Sequence, residues 1–149
     1  MICLDPNHTD YEKPPPNRSY EVSESKRLFT SMIIPIDTKT FPLVSEENTY
    51  EQPCVKTRRK KLQQHRIKLE FLHKRPYLKF PCEVHLTRYA KKKMDDDNFI
   101  HACKAIRDQI ADCLIPGLQK GQADGCDQIT WHYKQEIAKN VHLKIELRA

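Results

Sequence analysis

Met94–Asn98 reads MDDDN, three consecutive carboxylates and a carboxamide between an alternating apolar run and a helical one. In an extended backbone, residues two apart point to the same side, with Cα atoms about 6.5–7 Å apart. Asp95 and Asp97 can therefore reach one cation. Carboxylate oxygens suit a hard ion such as Mg²⁺, which takes them at about 2.0–2.1 Å, with Mn²⁺ as a substitute. Asp124 and Asp127 precede the next strand-like segment, and either can add a third carboxylate. Lys104 follows Asn98 by six residues and can hold a phosphate or offset developing charge. Such parts suit metal-assisted phosphodiester hydrolysis, in which the ion activates water and stabilises the pentacoordinate charge. A calcium EF-hand fails, because positions six and twelve counted from Asp95 are Ile100 and Ile106. A plain acidic patch balancing nearby lysines is the competing reading. His101 and His132 read as solvated or packed histidines.

The chain's net charge of +6 is unevenly spread. Residues 56–75 hold nine basic groups and one acidic, Glu70, for net +8, whereas 94–127 hold seven aspartates and three basic groups, for net −4. A basic element beside an acidic cluster fits a phosphate polymer, which gains from counterion release. Arg58, Arg59, Lys60, Lys61 and Arg66 on the basic segment, with Lys91, Lys92 and Lys93 before the acidic one, are the expected DNA contacts. A solvated helix face is the alternative.

The elements that must position these groups are few. Leu28–Ile36 reads as a strand with the potential to be buried on both faces. The basic segment reads as a helix over Asn48–Lys74, with Val55, Leu62, Leu69 and Leu72 at heptad-like spacing and Pro76 as its stop. Leu78–Tyr89 alternates as a strand that is an edge at Pro81 or starts after it. Asn98–Leu114 carries Phe99, Ala102, Cys103, Ile106, Ile110, Cys113 and Leu114 on one helical stripe, capped by the aspartates and ended at Pro116–Gly117. Ile129, Trp131 and Tyr133 alternate on a third strand, and Val141, Leu143, Ile145 and Leu147 on a fourth. The order β-α-β-α-β-β implies a single small α+β domain, one mixed sheet covered by helices, over 28–149. Residues 1–27 read as an irregular arm containing Pro14–Pro16.

Several classes drop out. At 149 residues the chain is one domain's worth. Its apolar runs, such as Met32–Ile34, are far shorter than the roughly 20 residues of a membrane span. The N-terminal residues lack a secretory pattern, so a reducing, cytoplasmic setting is expected. Three glycines fit neither a P-loop nor a dinucleotide fingerprint, so no nucleotide cofactor is expected. Six cysteines lack zinc-finger spacing and read mostly as small buried hydrophobes.

DDDNFIHACKAIRDQIAD, followed by an Asp-containing loop and QITWHYKQE, resembles the RusA family of Holliday junction resolvases, most closely its phage-type members. There a D-x-D-N, a K-x-x-R-D and a T-W-x-Y recur in this order. The resemblance spans 28–149 in element order and is specific over roughly residues 94–136. It implies a Mg²⁺-dependent endonuclease that acts as a homodimer and nicks branched DNA symmetrically, serving recombination and repair in a bacterial or phage-encoded setting. By position, Asp95 and Asp97 match the metal-binding pair, Asn98 the motif asparagine and Lys104 the phage-type lysine. Asp124 falls at the second of the family's paired aspartates, with Ala123 at the first, and His101 stands where other members carry their lysine. The alternative on the same fold is a junction-binding protein that does not cut.

Overall fold

The computed structural model describes residues 29–45, 50–118 and 122–149. The expected arm at 1–27 and helix start at Asn48 lie outside the described residues. The element order is β1 (Phe29–Pro35), α1 (Pro53–Lys74), β2 (Cys82–Ala90), α2 (Asp96–Ala102), α3 (Lys104–Leu114), β3 (Ile129–Ile137) and β4 (His142–Arg148), with a 3₁₀ turn at Ala123–Gly125. This is the expected small α+β domain on one mixed sheet. Strands run in the order β1-β4-β2-β3, with β2 and β3 parallel and the other pairings antiparallel. A parallel pair needs a crossover, and α2 and α3 supply it.

Alternation sets the two faces of the sheet. Met32, Ile34, Val84, Leu86, Leu143, Ile145 and Leu147 are buried on the helix-covered side. Ile33 is 58% exposed, so β1 is buried on one face and not on both. Pro81 lacks a donor, and β2 begins just after it, as a central strand must. On the crossover, Phe99, Ala102, Cys103, Ile106 and Ile110 are buried as the stripe predicts. The helix bends at Cys103, yet its ladder continues: the Cys103 N–H donates to the Phe99 carbonyl at 3.0 Å, and the Arg107 N–H to the Cys103 carbonyl at 2.8 Å.

Helix α1 meets the core by a different face from the expected one. Arg59, Gln63, Ile67 and Phe71 are buried at i, i+4 spacing, while Val55, Leu69 and Leu72 are exposed and Leu62 half-buried. Two polar residues sit inward because each finds partners. Gln63 Nε2 donates to the Pro42 carbonyl at 2.6 Å, and Arg59 Nη2 pairs with Glu51 at 2.9 Å. Ile67 and Phe71 then supply the apolar anchor, at about 1.5–3 kcal/mol per fully buried side chain. The helix stops where Pro76 predicts. Arg75 turns left-handed at φ 44° and its N–H donates to the Phe71 carbonyl at 2.8 Å.

Candidate functional site

The MDDDN segment sits where β2 hands the chain to α2. Asp95 is the residue before the first turn of α2 and makes no side-chain cap; its carbonyl accepts the Phe99 N–H at 2.9 Å. Asp95, Asp96 and Asp97 are all exposed. Carboxylates here also meet the positive end of a helix dipole.

A buried glutamine fixes this turn. Gln135 on β3 is 7% exposed, on the helix-covered face. Its Nε2 donates to the Met94 carbonyl at 2.8 Å and to Asp96 Oδ1 at 3.0 Å. Its Oε1 accepts the Met94 N–H at 3.1 Å and Arg88 Nη1 at 3.3 Å. Arg88 also donates to the Lys92 carbonyl at 3.0 Å, and burial lowers its pKa. Both backbone groups of Met94 are thus held in place from the neighbouring strand. Asp96 is tied down while Asp95 and Asp97 flank it. Asn98 is 4% exposed, and its Oδ1 has no hydrogen-bond partner in the structure.

A second charged cluster lies along the crossover helix. His101 lies at the end of α2, and Lys104 and Asp108 lie four residues apart on α3, where they share a face. Lys104 is exposed at the start of α3. Asp124, in the 3₁₀ turn, accepts from Arg107 Nη2 at 2.7 Å. Trp131 Nε1 donates to the Asp124 carbonyl at 3.3 Å, and the Arg107 guanidinium lies 5.9 Å from the Trp131 ring centre. Burial works to lower the Arg107 pKa, but the Tyr133 hydroxyl and the Asp124 carboxylate outweigh it and raise the value. Asp108 is pushed up, first by burial and then by the charge of Asp124, against the pull of Arg107 and Lys104.

Of the predicted carboxylates, Asp124 is therefore engaged by an arginine, and Asp127 is exposed in the turn before β3. Asp95, Asp97, Asp124 and Asp127 do not gather into a three-ligand group among the described residues. Glu83, His85 and His132 do, with ligand atoms within 4.8 Å of one another. These three side chains form a candidate metal-binding triad on the sheet.

The predicted DNA contacts separate into two kinds. Arg58, Lys61, Lys91, Lys92 and Lys93 are exposed and Lys60 is half-buried. Arg66 pairs with Glu70 at 2.8 Å. Arg59, expected to grip phosphate, is 4% exposed and held by Glu51, so its place is in the α1 packing and not on the surface.

Sequence reasoning missed Gln135, the Arg107–Asp124 pair and the histidine cluster. A signal existed for Gln135: it is the fourth inward position of a strand whose first three are Ile129, Trp131 and Tyr133. The histidine cluster depends on β2–β3 register, which alternation alone does not give. Among the described residues no helix is long and apolar enough to cross a membrane. Compared with known protein families, curated proteins and solved structures, the chain matches none of them.

Proposed function

We propose that this chain is a Mg²⁺-dependent endonuclease that nicks four-way DNA junctions, after the pattern of the RusA family it resembles. The observation that carries the reading is the pinned MDDDN turn. Asp95 and Asp97 stand exposed on either side of an aspartate anchored by Gln135, beside a buried Asn98 whose acceptor oxygen is unpartnered. An all-oxygen donor set of this kind fits a hard divalent ion. Asp95 and Asp97 would hold it, and the ion when bound would supply an activated water and charge stabilisation at the scissile phosphate.

The other residues orient and grip. Gln135 and Arg88 fix the backbone from which the two aspartates project. Lys104 contributes an exposed cation at the start of α3. Arg58, Lys61 and Lys91–Lys93 hold the phosphate backbone. Nicking opposed strands of a junction requires two such sites, so the working unit is a homodimer.

One observation favours the non-cutting alternative. Asp124 already pairs with Arg107 at 2.7 Å, which engages the carboxylate expected to complete the site. Cleavage of a synthetic four-way junction, run beside a linear duplex of the same sequence, separates the readings. The nuclease reading expects nicks in the junction with Mg²⁺ and none in EDTA. Junction binding without nicks in either Mg²⁺ or Mn²⁺ supports the alternative.

A further inference from the structure

The sheet face turned away from the helices carries metal-ligating side chains that the nuclease reading does not use. Glu83 and His85 lie two apart on β2, and His132 lies directly across from His85 in the parallel β2–β3 register. Residues two apart on a strand share a face, so all three project together. Glu83 Oε2 stands 3.0 Å from His85 Nε2 and 3.8 Å from His132 Nε2. In a tetrahedral zinc site with bonds of about 2.0–2.2 Å, neighbouring ligand atoms stand about 3.3–3.6 Å apart. The two measured separations bracket that range. The two imidazoles stack at 4.3 Å with planes 13° apart, so sharing an ion requires them to splay. His132 is 45% exposed and Glu83 52%, which leaves their side chains free to do so.

We propose that Glu83, His85 and His132 form a metal site, separate from the aspartate turn, that takes a borderline transition ion such as Zn²⁺ in preference to Mg²⁺. Two imidazoles and one carboxylate suit zinc and its neighbours, whereas Mg²⁺ demands near-octahedral oxygen ligation. The ligands stand on paired strands, so their Cα positions are set before an ion arrives. Both histidines line a recess of about 380 Å³, shared with Thr87, Tyr89, Glu146 and Arg148. Three protein ligands leave a fourth coordination position open to this recess, where water or a small anion fits. The carboxylates that line the recess are occupied, Glu146 by Lys144 at 3.2 Å and Arg148 at 3.5 Å and Glu136 by Lys134 at 2.6 Å, which leaves Glu83 as the carboxylate of the set. The aspartate turn lies beyond the far end of β2, on the helix side of the sheet.

Zinc titration of the full chain after EDTA stripping, by calorimetry or competition with a chromophoric chelator, tests the site. The wild type should hold Zn²⁺ in the presence of a large excess of Mg²⁺. His132→Ala and Glu83→Gln should each weaken it by more than the ~10–100-fold typical of an outer-shell change. Both positions are exposed, and circular dichroism checks that each variant folds; the isosteric Glu83→Gln decides the matter if His132→Ala does not. Asp97→Asn should leave zinc affinity unchanged, and Co²⁺ substitution should show no thiolate charge-transfer band. Unchanged affinity in Glu83→Gln, loss in Asp97→Asn, or a thiolate band would each overturn the assignment.

Discussion

Replacing Gln135 by leucine tests whether this one buried amide sets the geometry of the aspartate turn. The change keeps roughly the same volume and removes both hydrogen-bonding ends. Met94 loses partners for its N–H and its carbonyl at once, and Arg88 and Asp96 each lose a partner. An unsatisfied buried polar group costs about 1–3 kcal/mol. Met94 is half-buried, so water can reach part of it and the low end of that range applies to each of its two groups. The expected loss is about 2–3 kcal/mol. At about 2–4 °C per kcal/mol for a chain of this size, the melting temperature should fall by about 4–12 °C. Hydrogen exchange localises the effect, because the Met94 amide should exchange at least about fivefold faster for each kcal/mol of local protection lost. A melting point within about 1 °C of wild type, with Met94 protection unchanged, would refute the Gln135 hydrogen bonds as a source of order.

Arg58→Ala with Lys61→Ala should lower the log–log salt slope of junction binding by about 1.8, at about 0.9 per lost phosphate contact; an unchanged slope makes these residues a solvated face. Arg59→Ala should instead cost about 1.5–3 kcal/mol of stability in denaturant melts, because it removes charge-assisted hydrogen bonds to Glu51, and should leave the salt slope alone. Asp108 has a folded pKa raised above its ordinary 3.8, so the folded state binds the extra proton and stability falls as pH rises through that window. Asp108→Asn should therefore flatten the pH–stability curve there and raise stability at neutral pH relative to wild type. Melts across the acid range check the sign, and a steeper curve in the variant would reverse it.

Periodicity made the sheet and the crossover legible. Val84, Leu86, Leu143, Ile145 and Leu147 alternate in sequence and are buried in the fold, and Ile106 and Ile110 follow the helical stripe. The helix α1 deceived the same logic. Its apolar heptad residues point outward because Gln63 and Arg59 found a carbonyl and a carboxylate in the segment before the helix, a tertiary fact that local pattern does not carry. The same limit applies to chemistry. MDDDN was visible as a motif, but Gln135 lies about forty residues away in sequence and meets it through β2–β3 pairing. Asp124 read as a candidate third carboxylate for the ion because the Arg107 that pairs with it sits on another element. His132 read as a solvated or packed histidine until the register placed it opposite His85.

In the proposed function, Asp95 and Asp97 make this domain a metal-dependent nuclease on branched DNA. The most direct measurement assembles the protein with an end-labelled four-way junction in EDTA, then adds Mg²⁺ and follows single-turnover cleavage of the preformed complex. Expected are binding in EDTA, nicks in opposed strands only after Mg²⁺, and in Asp97→Asn full binding with nicking abolished. Asp97→Asn cutting at the wild-type rate, or a wild-type complex that stays uncut in Mg²⁺ and Mn²⁺, would contradict it.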